Sequence, residues 1–187
     1  MTYSQLWRRL LPLYDEREAK AVVRTLLEER FNLTLTDLYT DGLDRLTDEE
    51  KVRMETLIER LEAGEPVQYV VGKARFCGRD YMVAPGVLIP RPETEMLCKE
   101  VISAYNRPYC ALQPPEPLRV LDIGTGSGCI AVTLALDLWN STVTAWDISG
   151  DALIIARENA HRLQAHVNLE LQDALNPDEM EIGRAHV

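Results

Sequence analysis

Metal-site patterning is missing from this 187-residue chain. It has three histidines, and its four cysteines (Cys77, Cys98, Cys110 and Cys129) are scattered, with no Cys-x-x-Cys pair and no histidine at ligand spacing. No metal is expected, and the cysteines read as free, mostly buried thiols in a reducing compartment. Basic residues are in deficit: 20 Lys and Arg stand against 30 Asp and Glu, a formal net charge of −10. There is no basic stripe of the kind a nucleic-acid surface needs, although a basic protein partner remains compatible with this charge. No apolar run is long enough to span a bilayer, and Arg8, Arg9 and Asp15 flank too short a run for a secretory signal. The expectation is a soluble cytoplasmic protein with no direct nucleic-acid or membrane partner. Its length allows one large or two small domains with a real core.

What is present is concentrated in one stretch, Arg119 to Ala135. Val120, Leu121 and Ile123 have the composition of a buried parallel strand. Gly124, Gly126 and Gly128 follow at every second position, and Ile130 to Leu136 reads as the helix leaving the turn. Glycine permits positive φ and close approach of a ligand, and the unpaired N–H groups of a helix start face that ligand. A dinucleotide fingerprint, G-x-G-x-x-G, would place its third glycine where Cys129 stands. The observed order is D-x-G-x-G-x-G, from Asp122 to Gly128. An acid before the first glycine suits a ligand with a cationic amino group and would repel a pyrophosphate.

Val120 to Gly128 resembles motif I of the class I methyltransferases, which bind S-adenosylmethionine. A second strand, Thr142 to Trp146, ends in Asp147, an acid placed to accept hydrogen bonds from both ribose hydroxyls. A third strand is expected over Val167 to Leu171, followed by Gln172 and Asp173. Between the last two strands, Ser149 and Asp151 can cap a helix carrying Ala152, Ile155, Ala156 and Asn159.

The first sixty-odd residues read as helical. Leu6, Leu10, Leu13 and Tyr14 repeat at helix spacing. Asp15 with Glu18 has the form of a capping box, opening a helix with Ala19, Val22, Val23, Leu26 and Leu27 on its inner stripe and Arg30 at its end. Thr36 is expected to cap a short helix or turn. Thr47 with Glu50 forms another box, ahead of Met54, Leu57, Ile58 and Leu61, and Gly64 with Pro66 stops that helix. The result is a small bundle of antiparallel helices.

From Val67 to Val83 the pattern changes. Val67, Tyr69 and Val71 alternate, and Gly78 sits at a turn, which reads as a β-hairpin. Next, Pro90 and Pro92 bracket Arg91 in a stiff, extended segment. Glu93 and Glu95 then occupy the first turn of a helix carrying Met96, Leu97, Val101 and Ile102. A rigid segment delivering an arginine and two carboxylates suits a site wall, so Arg91, Pro92, Glu93 and Glu95 are candidates for one. The cluster Pro108 to Pro117 is a linker-like loop before the glycine-motif strand.

The run Pro66-Val-Gln-Tyr-Val-Val-Gly72, then Phe76, Val87 to Glu95 and the glycine motif, is similar to the HemK/PrmC family. Those enzymes methylate the glutamine of the Gly-Gly-Gln motif in peptide chain release factors. The resemblance runs to about Asp173, and Ile89-Pro-Arg-Pro-Glu-Thr-Glu95 is what picks out this family. It implies an α/β architecture: a helical bundle over 1–66 that recognises the release factor, a hairpin linker over 67–88, and an incomplete Rossmann-like methyltransferase domain over 89–187. It also implies that S-adenosylmethionine is held by Asp122, Gly124, Thr125, Gly126, Ser127, Gly128, Asp147, Asp173 and Ala174. The family often has an aromatic residue beside the acid at Asp173, and Ala174 departs from this.

A larger departure is the family's catalytic signature, Asn-Pro-Pro-Tyr, which this sequence does not contain. By that resemblance the Asn oxygen and a proline carbonyl hold the substrate NH₂ so that its lone pair points at the methyl group. This is catalysis by orientation and electrostatics. Asn176-Pro177 is followed by Asp178 and Glu179 and reads as a turn. No catalytic residue is therefore assigned within the chain. It reads as the N-terminal fragment of a longer parent, its strand order 3-2-1 leaving the glycine-motif strand as an apolar edge, and is expected to be poorly stable and inactive. Two other readings are a non-catalytic protein-binding module with a vestigial cofactor site, and a nicotinamide-dependent oxidoreductase.

Overall fold

The computed structural model describes residues 2–106 and 117–176. It divides into two compact units, Met1–Gly72 and Lys73–Val187.

The first unit is helical: α1 (Tyr3–Arg9), α2 (Glu16–Phe31), α3 (Leu35–Leu38), a 3-10 turn (Gly42–Arg45), α4 (Asp48–Glu62) and α5 (Val67–Val71). Side chains that satisfy the orphan N–H groups fix the helix starts. Thr47 and Glu50 form the expected box, and Thr2 with Gln5 and Thr34 with Asp37 form two more. The short helix is thus capped by Thr34, two residues before the expected Thr36. Asp15 accepts the Glu18 N–H (2.8 Å) in a one-sided cap. Helix α1 ends at Arg9, and Leu13 is exposed rather than continuing its stripe. Leu6, Leu10, Val23, Leu26, Leu27, Met54, Ile58 and Leu61 form the buried centre. On the surface, Arg9 holds Glu62 through two bonds (2.8 and 2.7 Å) and reaches Glu55, and Arg60 pairs with Glu65.

Val67–Val71 is a helix, which corrects the expectation of a strand there. Over five residues the same apolar positions fit both periods. Val67, Val70 and Val71, at i, i+3 and i+4, pack on the bundle core, and Gly72 ends the helix at φ +79°. Helix α5 therefore belongs to the first unit, and the hairpin begins at Lys73 in the second.

In the second unit β1 (Lys73–Phe76) and β2 (Arg79–Met82) pair antiparallel around Cys77-Gly78. Both turn residues have positive φ, the requirement of a tight two-residue hairpin turn. Then follow α6 (Pro92–Tyr105), β3 (Leu118–Ile123), α7 (Cys129–Asp137), β4 (Ser141–Asp147), α8 (Gly150–Arg162) and β5 (Val167–Leu171). The three later strands form a parallel sheet in the order β3-β4-β5. Helix α6 carries Met96, Leu97, Val101 and Ile102 as expected; it buries Cys98 and turns Val101 and Ile102 inward, whereas Met96 and Leu97 are exposed. Among the described residues β3 is an edge strand, and Leu121 (40 %) and Ile123 (58 %) are exposed on it.

The hairpin lies along α7. Arg79 makes a bidentate ion pair with Asp137 (2.9 and 2.6 Å), and buried Tyr81 shares a hydrogen bond with Thr133 (2.8 Å). Asn106, at the end of α6, donates to the Asp137 carbonyl and accepts the Trp139 N–H. Among the described residues no helix is long and apolar enough to cross a membrane, and no cluster of metal-ligating side chains occurs. Cys77, Cys98 and Cys129 are free thiols. Cys110, residues 107–116 of the proline-rich loop, and Pro177 onward lie outside the described residues.

Candidate functional site

The glycine turn is folded over the tip of β4 by backbone geometry. The Trp146 carbonyl accepts both the Gly124 and Thr125 N–H groups (2.9 Å each). One residue on, Asp147 Oδ2 accepts the Gly126 N–H (2.8 Å) and Oδ1 accepts the Ser149 N–H (2.9 Å). This carboxylate joins the turn to the start of α8, which Ser149 caps. Each oxygen has two lone-pair directions, so each keeps capacity for one further donor. That is the chemistry a vicinal diol requires.

The three glycines have different tasks. Gly124 (φ +73°) has nothing within 4 Å of the position a Cβ would take, so the turn is open there to a ligand. At Gly126 the corresponding Cβ would stand 4.0 Å from the Val87 side chain, which brings the segment before Arg91 up to the turn. Gly128 (φ +77°) packs onto α8, where a Cβ would come within 3.0 Å of the Ala156 Cβ. Ser127 Oγ is buried beside the Cys129 thiol and makes no hydrogen bond of ordinary geometry. It is an orphan polar atom in the cradle.

Asp122 ends the strand side of the turn. Burial pushes its carboxyl above the usual carboxylate range, against the Thr125 hydroxyl (2.7 Å) and the Ala131 amide, which favour the ionised form. Asp147 adds a repulsive contribution. Two carboxylates in one cradle, one of them half-buried, are stabilised by a cationic ligand. Because the folded state holds the Asp122 proton more tightly than the unfolded chain, its contribution to stability is present in acid and lost as pH rises through the raised value. Asp122→Asn is therefore expected to melt higher than the parent at neutral pH. The gap should close as pH falls through the carboxylate range, and a pH-independent gap in differential scanning fluorimetry would count against this account.

The other expected site residues are placed as follows. Gln172 N–H donates to the Asp147 carbonyl (3.0 Å), so Asp173 follows at the rim of the same strand tips. Its carboxylate turns back to Leu175 N–H (2.9 Å) and Asn176 Nδ2 (3.0 Å), which hold it below the usual range, and Ala174 is exposed in this turn. The Asn176 N–H donates to the Asp173 carbonyl (3.1 Å), and Pro177, the other half of the expected turn, lies outside the described residues. Arg91 occupies the N-cap of α6 and Pro92 its first position. Arg91 and Glu93 are exposed, and Glu95 is committed to the Cys77 N–H (3.0 Å) and Lys99 (3.2 Å). Among the described residues no bond joins Arg91, Pro92, Glu93 or Glu95 to the glycine turn.

The Trp146 carbonyl, Val87 and Asn159 were not anticipated at the site. Asn159 carried a signal: it is a polar residue on the stripe of Ala152 and Ala156, and it is completely buried.

A parallel β-α-β-α-β unit with an acid-led glycine turn and an acid at the tip of the next strand is the cofactor half of a class I methyltransferase domain, the class whose cofactor is S-adenosylmethionine. Residues 120–183 match the family described as methyltransferase domain, and residues 5–72 match the PrmC N-terminal domain. The chain is 42 % identical over 170 residues to a release factor glutamine methyltransferase of Bacteroides thetaiotaomicron, and 45 % identical over 166 residues to one of Koribacter versatilis. These alignments take in 90 % and 88 % of this chain and 58 % and 56 % of the relatives' lengths. A third, of Bacillus subtilis, is 40 % identical over 150 residues, 75 % of this chain and 51 % of the relative. The chain belongs to the HemK/PrmC family and spans little more than half the length of the relatives it matches.

Proposed function

We propose that the whole protein methylates the side-chain nitrogen (N5) of the glutamine in the Gly-Gly-Gln motif of peptide chain release factors. In this reading the second unit holds S-adenosylmethionine and the first unit docks the release factor. The observation that carries it is the Asp147 carboxylate, bonded to the Gly126 and Ser149 amides beside the open face of Gly124. The likeness to relatives named release factor glutamine methyltransferase supports the substrate class.

The residues present fit that cofactor. Asp147 offers its remaining acceptor capacity to the ribose hydroxyls, and Asp122 offsets the ammonium and sulfonium charge. Ser127 Oγ supplies an unused hydrogen-bonding group, and Gly124 lets the ligand approach the backbone. When bound, S-adenosylmethionine supplies an electrophilic methyl group. The weakly nucleophilic substrate amide needs orientation rather than a strong base, and the family resemblance assigns that role to an Asn-Pro-Pro-Tyr segment, which these 187 residues do not contain. Because the ionised form of Asp122 is the one that offsets the cofactor's charge, binding is expected to strengthen as pH rises through its raised value.

A thermal-shift comparison tests the cofactor assignment. S-adenosylmethionine at about 100 times its Kd is expected to stabilise the protein by about 2.7 kcal/mol, and NAD to leave it unchanged. Stabilisation by NAD with none by S-adenosylmethionine would transfer the site to the oxidoreductase reading.

A further inference from the structure

Asn159 is an uncharged side chain with no exposed surface, and every hydrogen-bonding position it uses is occupied by backbone. Nδ2 donates to the Ser127 carbonyl in the glycine turn (2.9 Å) and to the Met82 carbonyl at the end of β2 (2.9 Å). Oδ1 accepts the Met82 N–H (2.6 Å). A carboxamide presents two donors and an acceptor on one rigid plane. Here that plane joins three segments far apart in sequence: the hairpin, the turn and α8.

A second contact reinforces the first. Ala156, one turn earlier on α8, is the surface on which Gly128 rests. Ala156 and Asn159 thus hold Gly128 and Ser127, while Asp147 and the Trp146 carbonyl hold Gly124, Thr125 and Gly126. Beyond Met82 the chain runs to Val87, whose side chain comes within 4.0 Å of the position a Cβ would take on Gly126.

We infer that Asn159 is a positioning residue for cofactor binding: it sets the glycine turn in register with the end of the hairpin and thereby fixes the floor of the cofactor site. It touches no reacting atom. Its replacement by alanine removes the donor to two carbonyls and the acceptor of one N–H, and frees the turn to move as a unit. The inference rests on the cofactor reading above.

The test uses the whole 187-residue chain. Asn159→Ala is compared with Tyr81→Phe, which removes the bond from the same hairpin to Thr133 on α7 without touching the turn. Two quantities are read: the Kd for S-adenosylmethionine by calorimetry, and amide hydrogen exchange at Gly126 to Cys129 in the free protein. Asn159→Ala is expected to weaken binding and speed that exchange by about ten-fold or more, and Tyr81→Phe to stay within about two-fold on both. Binding and exchange near parental values in Asn159→Ala, or equal losses in both variants, overturn the inference. If the parent itself binds no S-adenosylmethionine, the cofactor reading fails. The exchange rates then decide the role of Asn159 in holding the turn. Should Asn159→Ala not fold, Asn159→Ser, which retains one short donor, is judged by the same limits.

Discussion

Gly128→Ala is expected to lower the stability of the second unit by about 2–4 kcal/mol, because backbone strain and overpacking act at one atom. At φ +77° an L-residue crowds its own carbonyl, and the new methyl would lie 3.0 Å from the Ala156 Cβ and 3.2 Å from its Cα. Ala156 has no side chain to swing aside, is fully buried, and sits on a helix tied at Asn159 to two other segments. Relief therefore requires α8 or the turn to shift. Gly124→Ala is the internal control: its φ of +73° is similar, but a methyl there meets nothing within 4 Å. It should lose about 1 kcal/mol, the backbone contribution alone. Urea denaturation of both variants separates the two causes, and equal losses would mean that packing on Ala156 is irrelevant.

The largest effect on binding is expected at Asp147. Asp147→Ala removes a charged acceptor from the Gly126 and Ser149 amides and, in the proposed complex, from the ribose. Bonds to a charged group contribute about 1.5–3 kcal/mol each, so losing two or more should weaken S-adenosylmethionine binding by about a hundred-fold or greater. Asp147→Asn retains one carbonyl oxygen and should fall between parent and alanine. Calorimetric Kd values within about three-fold of the parent for both variants would remove Asp147 from the site.

Most of this arrangement is legible in the sequence wherever a local rule and a long-range need agree. Thr47 with Glu50 announces α4, and Asp122 to Gly128 announces the turn, because capping and positive φ are properties of a few neighbouring residues. Local rules fail where a short segment satisfies two of them. Val67–Val71 fits alternation and helix spacing equally, and the bundle core decides in favour of the helix. Met96 and Leu97 look like core residues until the start of α6 at Pro92 sets the helix phase and turns Cys98 inward. Asn159 is legible only as a polar residue on an apolar stripe, and what it binds is not. Its partners are backbone groups 32 and 77 residues away, and backbone groups leave no mark on a sequence.

The side chains that tie loops together in the second unit have a further consequence. Asn159 and Asn106 clasp main-chain groups through neutral amides, and the Arg79–Asp137 ion pair sits at the end of α7 remote from the glycine turn. Neutral amide bonds neither titrate nor attract counterions, so these two clasps, unlike the Asp147 carboxylate bonds to Gly126 and Ser149, are indifferent to ionic strength. The surface of the helical unit instead carries charged pairs, Arg9 with Glu55 and Glu62 and Arg60 with Glu65, which added salt screens. Added salt is then expected to weaken the surface pairs of the first unit while leaving the two amide clasps of the second unchanged.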